Sequence, residues 1–385
     1  MRQVAILGIG QTAIDEHWDK SLKELAGEAC FLAMEDANLR KPDALYVGNM
    51  LSPSIGGQNQ LGTYIADWVG MWGSEASKVE SACSSGSAAF RSAVMAVASG
   101  EVESALAVGV EKMTDRAGKE VTAALATAAD ADQEVEQGVS FVGLNALIMR
   151  RYMFEYGWKH ADFAPFSINS HSNALHNPYA RLHEKIDIDT FERSSMVATP
   201  INLLDASPIG DGAAAAIIVP AGVVRSSTSR PKILVAGSAS STDTIAVHSR
   251  KDPLFLTAAY TSAKKAYAMA GIDQHQVDLF ELHDAFSIMA ALSLEACGFA
   301  DRGKGPALGL DGKIGINGEI PVCTRGGLKA RGHPVGATGM YQIVEVAQQL
   351  RGECGETQVE NASIGMAQNI GGSGASILTH ILRKE

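Results

Sequence analysis

Residues 76–100 read ASKVESACSSGSAAFRSAVMAVASG and contain the cysteine around which the rest of the chain is arranged. Residues 78–82 predict the end of a short strand, and from Ser84 onward small and apolar residues follow helical spacing until Gly100. Cys83 is therefore predicted at a helix N-terminus, where free N–H groups and the helix dipole favour a thiolate. Two interpretations stay open here: a catalytic nucleophile, or a small buried residue without chemistry.

The composition excludes several classes of protein. The chain has 385 residues, 46% of them hydrophobic, and a net charge of -11 with no basic tail, so we expect neither a nucleic-acid partner nor a membrane-surface partner. No apolar run approaches the ~20 residues of a membrane span, and the N-terminus lacks a secretory pattern. The five cysteines are widely spaced without a C-x-x-C pair, which predicts a cytoplasmic location, no disulfides and no structural metal site.

Strand-like and helix-like segments alternate along the chain, which predicts an α/β layered fold. The second part of the chain repeats the order of the first, so we predict two similar halves, residues 1–225 and 226–385. In the first half we predict strands at 4–9, 44–48 and 105–110, and helices at 22–38 and 57–71.

The first half also carries an insertion, at about residues 113–202, that the second half lacks. We predict a polar and irregular segment with a binding role, because long insertions into a compact repeat usually carry function. Its histidines, His171, His176 and His183, fit no metal-ligand spacing and are predicted to be solvated or locally hydrogen-bonded.

Two stretches of the second half place histidines at predicted strand-to-helix junctions. His283 lies in ELHDAF (281–286), after a strand predicted at 278–282, and His333 lies in GGLKARGHPVGATG (326–339), before a helix predicted at 340–350. The repeat pairs this helix with the one after Cys83, so the two helix N-termini are predicted to meet, with Cys83 facing His333. A thiol beside a neutral imidazole is an activated nucleophile.

A third stretch, MAQNIGGSG (366–374), follows a strand predicted at 362–365. Its glycines permit close approach of the backbone, and their N–H groups are candidates for an oxyanion hole.

Together these motifs resemble the thiolase superfamily, in particular the sterol-carrier-protein-type thiolases and the archaeal thiolases close to them. HSNALHNPYA (171–180) in the insertion is similar to theirs as well, and the resemblance covers the whole chain. It implies a five-layered αβαβα fold of two pseudo-twofold-related halves, a loop domain formed by the insertion that binds coenzyme A, and a homodimer or dimer of dimers.

The resemblance also implies roles for single residues. Cys83 matches the acylated nucleophile, His333 matches the histidine that activates it, and His283 matches the position that helps to hold a water against the thioester oxygen. The backbone N–H groups of Cys83 and Gly371 match the oxyanion hole of the acyl-enzyme. No cofactor is implied beyond the coenzyme A thioester substrates, and no metal.

One part of the thiolase pattern is missing. Thiolases use a second cysteine as acid and base, and its two known places hold Ala285 and Asn369 in this chain. Alanine cannot move a proton, and an asparagine amide does not titrate usefully. Cys323, ten residues before His333, is the candidate for the missing thiol.

The favoured prediction is an acyl-CoA C-acyltransferase, most simply an acetyl-CoA acetyltransferase that makes or cleaves acetoacetyl-CoA. Three alternatives stay open: a decarboxylating enzyme like the ketoacyl synthases, a retro-aldol enzyme, and an acyl-CoA-binding subunit without turnover. By resemblance, the partners to expect are 3-hydroxy-3-methylglutaryl-CoA synthase and a small protein with a zinc ribbon and an oligonucleotide/oligosaccharide-binding fold.

Overall fold

The computed structural model describes residues 2–226 and 230–385. The strands are β1 (Val4–Gln11), β2 (Ala44–Gly48), β3 (Glu75–Val79), β4 (Ala105–Glu111), β5 (Met196–Ala198), β6 (Ile201–Asn202), β7 (Gly212–Pro220), β8 (Ile233–Thr242), β9 (Leu279–Glu281), β10 (Ile364–Gly371) and β11 (Ser376–Lys384). The helices are α1 (Leu22–Ala37), α2 (Leu61–Trp68), α3 (Ser85–Ser99), α4 (Gly118–Ala126), α5 (Phe141–Tyr156), α6 (Ala164–Ala174), α7 (Ile188–Arg193), α8 (Thr257–Ala270), α9 (Ser287–Ala296), α10 (Gly305–Leu310) and α11 (Thr338–Arg351).

Nine strands form one hydrogen-bonded sheet in the order β3-β2-β4-β7-β1-β8-β11-β10-β9. The two halves join where β1 pairs with β8, over Ala5 with Leu234 and Ile6 with Ile233. On either side of this seam the pairing is the same. An antiparallel pair comes first (β1–β7 and β8–β11), then a second (β7–β4 and β11–β10), then a parallel pair (β4–β2 and β10–β9). The predicted internal repeat is therefore confirmed.

Helices cover both faces of each half-sheet, because successive strand residues point to opposite faces. Along β4, Leu106 and Val108 pack in the cluster that contains α1, whereas Ala105 and Ala107 pack in the cluster that contains α3 and α11. On the second half-sheet, Met366 of β10 packs in the cluster that contains α8 and α9. The layers are thus α1 and α2, the first half-sheet, α3 with α11, the second half-sheet, and α8 with α9. This arrangement confirms the predicted five-layered fold.

Several predicted boundaries are wrong. The helix expected at 57–71 is only α2, because Gln60 adopts a left-handed conformation (φ +53) just before it and the chain turns at Gly70 (φ +75) just after it. The strand expected at 362–365 continues to Gly371, so Asn369 lies inside a buried strand rather than in a glycine-rich loop.

The insertion is more regular than the sequence predicts. It contains helices α4 to α7 and the two-stranded β5–β6 pair, and its acidic stretch forms a single π-helical turn with Glu134 buried. As predicted, His171 and His183 make local hydrogen bonds, with Glu184 O and Asn177 O, and His176 is exposed to solvent, where it also contacts Glu356 of the second half.

The predicted boundary between residues 225 and 226 lies in the connection from β7 to β8, and the division into two domains at that point stays a prediction. Within residues 2–226 and 230–385, the helices are too short or too polar to cross a membrane.

Candidate active site

The loop from β3 to α3 turns sharply and places Cys83 two residues before the helix. Ala82 is in the left-handed region (φ +48), which an alanine adopts only where neighbouring contacts enforce it. Those contacts come from Ser85, whose Oγ accepts from the Ser81 N–H (2.9 Å) and donates to the Ala82 carbonyl (2.6 Å). The predicted position of Cys83 at a helix N-terminus is therefore confirmed.

The Cys83 side chain is buried, with 3% of the residue exposed, in an apolar cluster that includes Leu51 and Val335. Burial, followed by the charge of Glu111, raises the pKa of the Cys83 thiol to about 12, although hydrogen bonds from the backbone of Gly372 and of Cys83 itself lower it. The expectation of a stabilised thiolate is therefore wrong for the free protein. The resting group is a thiol, so a base has to remove its proton when it reacts.

The N-termini of α3 and α11 are in direct contact. A Cβ on Gly86 in the first turn of α3 would lie 2.8 Å from Gly336 O, and a Cβ on Gly339 in α11 would lie 2.5 Å from the Ser87 backbone N. Only glycine fits at such distances, which explains why glycines surround both motifs. Because Val335 shares the cluster of Cys83, the structure brings the His333 loop to the cysteine, as the repeat predicts.

The hydrogen bonds of His333 fix its tautomer. Thr338 Oγ1 donates to Pro334 O (3.1 Å) and lies 2.6 Å from His333 Nδ1. A hydroxyl has one proton, and a carbonyl oxygen can only accept, so the bond between the two side chains runs from His333 Nδ1–H to Thr338 Oγ1. His333 Nε2 is consequently unprotonated and can serve as a base.

The hydrogen bonds of His283 fix the opposite tautomer. Asn369 Nδ2 donates to His283 Nδ1 (2.9 Å), which leaves the proton of this imidazole on Nε2. Asn369 Oδ1 is buried without a hydrogen-bond partner among the described residues, so the bond to His283 is what orients this amide. Gln342 of α11 secures both residues, since its Nε2 contacts Leu282 O and Gln368 O, each at 3.0 Å.

Both histidines are neutral and close to each other. Their ring centroids are 5.2 Å apart, with the planes nearly perpendicular (85°). Burial and then the charge of Arg331 lower the pKa of His283 to about 3. Burial, His283 and Arg331 hold the pKa of His333 well below its usual 6.5. The site thus contains one imidazole that accepts a proton and one that donates a hydrogen bond, next to a buried thiol.

Two protein-family models match this chain. The model of the thiolase N-terminal domain matches residues 4–222, and that of the thiolase C-terminal domain-like family matches residues 239–384. The chain belongs to the thiolase family. It is 45% identical to an acetyl-CoA acetyltransferase of Methanothermobacter thermautotrophicus over the full length of both chains. It is also 29% identical to human sterol carrier protein 2, over 98% of this chain and 72% of that protein. The resemblance to archaeal and sterol-carrier-type thiolases is confirmed.

Among solved structures, an Ltp2–ChsH2(DUF35) aldolase superimposes with a TM-score of 0.85 at 23% identity, over 99% of this chain and 98% of that chain. A coenzyme A complex of the Acat5 thiolase from Ascaris suum superimposes with a TM-score of 0.73 at 18% identity over the full length of both chains. These similarities show a shared fold.

The two places where thiolases carry a second cysteine are buried in this structure. Ala285 is 5% exposed and lies in the core beside α9, and Asn369 is fully buried against His283. Asn369 therefore fixes a histidine in a position where other thiolases carry a thiol. Sequence reasoning missed this role, because the contact joins residues far apart in the chain.

Cys323 lies next to Leu282, the residue that precedes His283. Its thiol donates to Leu282 O (3.9 Å), and its backbone is left-handed (φ +50). Burial, then the charges of Asp284 and Glu281, raise the pKa of this thiol well above 9.0. Burial and the two neighbouring negative charges both oppose formation of the thiolate, which is the form that a proton-abstracting base would need.

Gly371 ends β10 and packs directly on the cysteine loop. A Cβ there would lie 2.5 Å from Ser81 O and 2.7 Å from Ser84 Oγ, so only glycine fits. The neighbouring Gly372 supplies a backbone hydrogen bond to the Cys83 sulfur. The oxyanion hole from Cys83 and Gly371 stays a prediction, and Gly372 is a further candidate donor.

Replacing Asn369 with leucine should lower kcat by about 10²-fold or more, because His283 would lose the donor that keeps its proton on Nε2. Steady-state kinetics of acetyl transfer measure this change. Gln368→Leu is the matched control: this amide is equally buried in the same strand, but it bonds Thr379 Oγ1 (2.9 Å) instead of a histidine. Equal losses in the two variants would contradict the role given to Asn369.

Proposed function

We propose that this protein is an acetyl-CoA acetyltransferase that condenses two acetyl-CoA molecules to acetoacetyl-CoA, or cleaves the product, through an acetyl group on Cys83. The observation that carries the proposal is the pair of neutral histidines with opposite tautomers at the point where the α3 and α11 N-termini meet. Incubating the pure protein with acetyl-CoA tests it: acetoacetyl-CoA and free coenzyme A should form. Failure of an intact, folded protein both to form acetoacetyl-CoA and to cleave acetoacetyl-CoA in the presence of free coenzyme A would contradict it.

In the first half-reaction His333 Nε2 takes the Cys83 proton as the sulfur attacks the acetyl carbonyl. The C–S bond to coenzyme A breaks, and the protonated His333 returns the proton to the departing coenzyme A sulfur. The products are acetyl-Cys83, free coenzyme A and a neutral His333. The hydrogen bond from His333 Nδ1–H to Thr338 keeps Nε2 available for this step.

In the second half-reaction the neutral His333 is again the base. It removes the α-proton of a second acetyl-CoA, while Nε2–H of His283 stabilises the negative charge that develops on the thioester oxygen. The α-carbon attacks acetyl-Cys83, and the Cys83 sulfur leaves as a thiolate. His333 then gives its proton to that sulfur, which restores the starting state, so one imidazole serves both half-reactions and no second thiol takes part.

Replacing Cys323 with asparagine should leave kcat within about threefold, because the proposed cycle does not use this thiol. Asparagine suits the position, since it tolerates the left-handed backbone found there (φ +50). Acetoacetyl-CoA formation by wild type and variant, after confirming equal thermal stability, gives the answer. A loss of about 100-fold or more in a folded variant would make Cys323 the missing base.

The other functions predicted from the sequence are distinguished by substrate. Carbon dioxide release and turnover with malonyl-CoA but none with acetyl-CoA would identify a decarboxylating enzyme. Cleavage of a β-hydroxyacyl-CoA without acylation of Cys83 would identify a retro-aldol enzyme. Acyl-CoA binding without turnover of any of these substrates would identify a binding subunit.

A homodimer is proposed through β3. This strand lies at an edge of the nine-stranded sheet, where among the described residues it pairs with β2 alone, and it is partly exposed along its length. An open edge of this kind is suited to pairing with a second copy. The solved aldolase consists of Ltp2 and ChsH2, a DUF35 protein, which supports a search for a partner of that kind. Partnership with 3-hydroxy-3-methylglutaryl-CoA synthase and a cytoplasmic location stay predictions.

A further inference from the structure

Glu111, the last residue of β4, lies between the loop after β2 and the histidine loop and is fully buried. Its two carboxylate oxygens accept four hydrogen bonds. Oε1 accepts from Asn49 Nδ2 (2.7 Å) and from the Leu51 N–H (3.1 Å), and Oε2 accepts from the N–H groups of Met50 (2.9 Å) and Gly336 (3.0 Å). Three of these donors belong to the first half of the chain, and the fourth belongs to the second.

The bond to Gly336 is the one that joins the halves. Gly336 lies three residues after His333, and a Cβ on it would lie 2.5 Å from Glu111 Oε2 and 2.7 Å from the Asn49 Cα. The loop that carries His333 therefore packs directly against the Glu111 carboxylate. Moving or shortening the Glu111 side chain would change the position of this loop relative to Cys83.

The charge of Glu111 is not balanced by an ion pair in the described part of the chain. Asp211, a buried carboxylate nearby in the fold, also accepts backbone hydrogen bonds but is paired with Lys112 at 2.7 Å. For Glu111 the donors are neutral amides, and Lys78 acts on it only from a distance. Burial raises the pKa of Glu111 to about 7, although the hydrogen bonds oppose this change.

The other charges around the Cys83 cluster are paired, as Lys112 and Asp211 are, or exposed. Among carboxylates, Glu111 acts on the thiol more strongly than Glu80 of the preceding loop. The second half contributes His333 and His283, which are neutral. The apolar face of α4 packs in the Cys83 cluster. The ionisable groups of α4 and of the turn before it are exposed: Asp115, Arg116, Lys119 and Glu120.

We propose that Glu111 is a positioning residue of the thiolase reaction: it fixes the His333 loop against residues 49–51, two of which pack in the Cys83 cluster, and its buried charge beside that cluster keeps Cys83 in the thiol form until an acyl-CoA is bound. A buried thiolate waiting without substrate would be open to oxidation and alkylation. With Glu111 in place, the sulfur loses its proton only as His333 takes it. This inference rests on the proposed role of Cys83.

The test is Glu111→Gln, which removes the charge at nearly constant volume and turns one acceptor oxygen into an NH₂ group facing N–H donors. Alkylation of Cys83 by iodoacetamide is followed across pH by peptide mass spectrometry, alongside acetyl transfer. We expect the alkylation midpoint to move to lower pH, with the rate at pH 8 rising about tenfold, while acetyl transfer falls about 10- to 100-fold. A purely structural role would change the alkylation rate without lowering its midpoint.

Asp211→Asn is the matched control, because it neutralises a buried carboxylate that already has a lysine partner. Its alkylation midpoint should equal that of the wild type. An unchanged or higher midpoint in Glu111→Gln would overturn the inference. If Glu111→Gln does not fold, Glu111→Asp is used instead, because it keeps the charge but shortens the side chain. Acetyl transfer should then fall while the pH midpoint of Cys83 alkylation stays unchanged. Normal acetyl transfer in Glu111→Asp would overturn the inference. Failure of acetyl-CoA to label wild-type Cys83 would instead contradict the proposed function, since alkylation is measured independently.

Discussion

Replacing Cys83 with alanine is expected to lower kcat for acetyl transfer by about 10⁴-fold or more, because no other group in the site can carry the acetyl group. The wild-type protein mixed with acetyl-CoA should gain about 42 Da on the peptide that contains Cys83, as an acetyl group replaces a hydrogen. The Cys83→Ala protein should show no such adduct. Mass spectrometry of the digested protein after rapid quenching measures both results.

Cys297→Ala is the matched control for this experiment. Cys297 has the same exposure as Cys83 (3%), and burial raises its pKa to about 12 as well, but its neighbour is Gln368 rather than a histidine. If acylation depended only on being a buried thiol, both cysteines would react. We expect an adduct on Cys83 alone and an unchanged rate in the Cys297→Ala protein. Labelling of any other cysteine at a comparable rate would contradict the assignment.

The Cys83 thiol shows where local sequence reasoning failed. The sequence predicts a helix N-terminus at this cysteine, which is correct, and from this a stabilised thiolate, which is not. The helix dipole contributes about 0.3–1 kcal/mol, whereas one pKa unit corresponds to about 1.4 kcal/mol. The dipole therefore cannot offset burial and the Glu111 charge, which raise the thiol pKa from 9.0 to about 12. Burial and the position of Glu111 depend on the tertiary fold, so the motif alone does not contain them.

Most of the layered fold was predictable because the strands and helices of the repeat can be recognised from short local sequence patterns. Buried strands such as β4 read as apolar runs, and helices such as α1 end at a clear signal, Asn38 in the left-handed conformation. The insertion was harder to predict, because its helices are stabilised by contacts with the second half. Examples are the packing of α6 on residues 327–331 and the hydrogen bond from Asn173 Nδ2 to Cys323 O (3.0 Å). A polar composition does not reveal such partners.

Within the site, the sequence identified the reacting groups but not the residues that set their protonation. Thr338 is five residues from His333 and was within reach of a local argument from the start of α11. Asn369 and Glu111 act on residues of the opposite motif or half, at separations of 86 and 225 residues. One signal was available for Glu111: a carboxylate that ends an otherwise apolar strand of an α/β sheet, where ligand sites form.

Replacing His333 with alanine is expected to slow acylation of Cys83 by about 10³- to 10⁴-fold, because the thiol would lose its base. The pH profile gives a sharper test than the rate alone. Since burial, His283 and Arg331 hold the pKa of His333 well below 6.5, its base form persists in mildly acidic solution. The wild-type acylation rate should therefore stay level as pH falls through 6.5 and decrease only at clearly lower pH. In His333→Ala the residual rate should rise about tenfold per pH unit, because Cys83 then ionises unaided.

The Thr338 variants separate the base itself from the group that orients it. Thr338→Val removes the acceptor of the Nδ1–H bond, so His333 can place its proton on Nε2, where it cannot accept the proton of Cys83. We expect a loss of about 10- to 100-fold in acylation, smaller than for His333→Ala because part of the histidine population keeps the active tautomer. Thr338→Ser retains the hydroxyl and should restore most of the rate. A level pH profile and wild-type acylation in His333→Ala would show that another group takes the proton, and the remaining candidate of the site would then be His283.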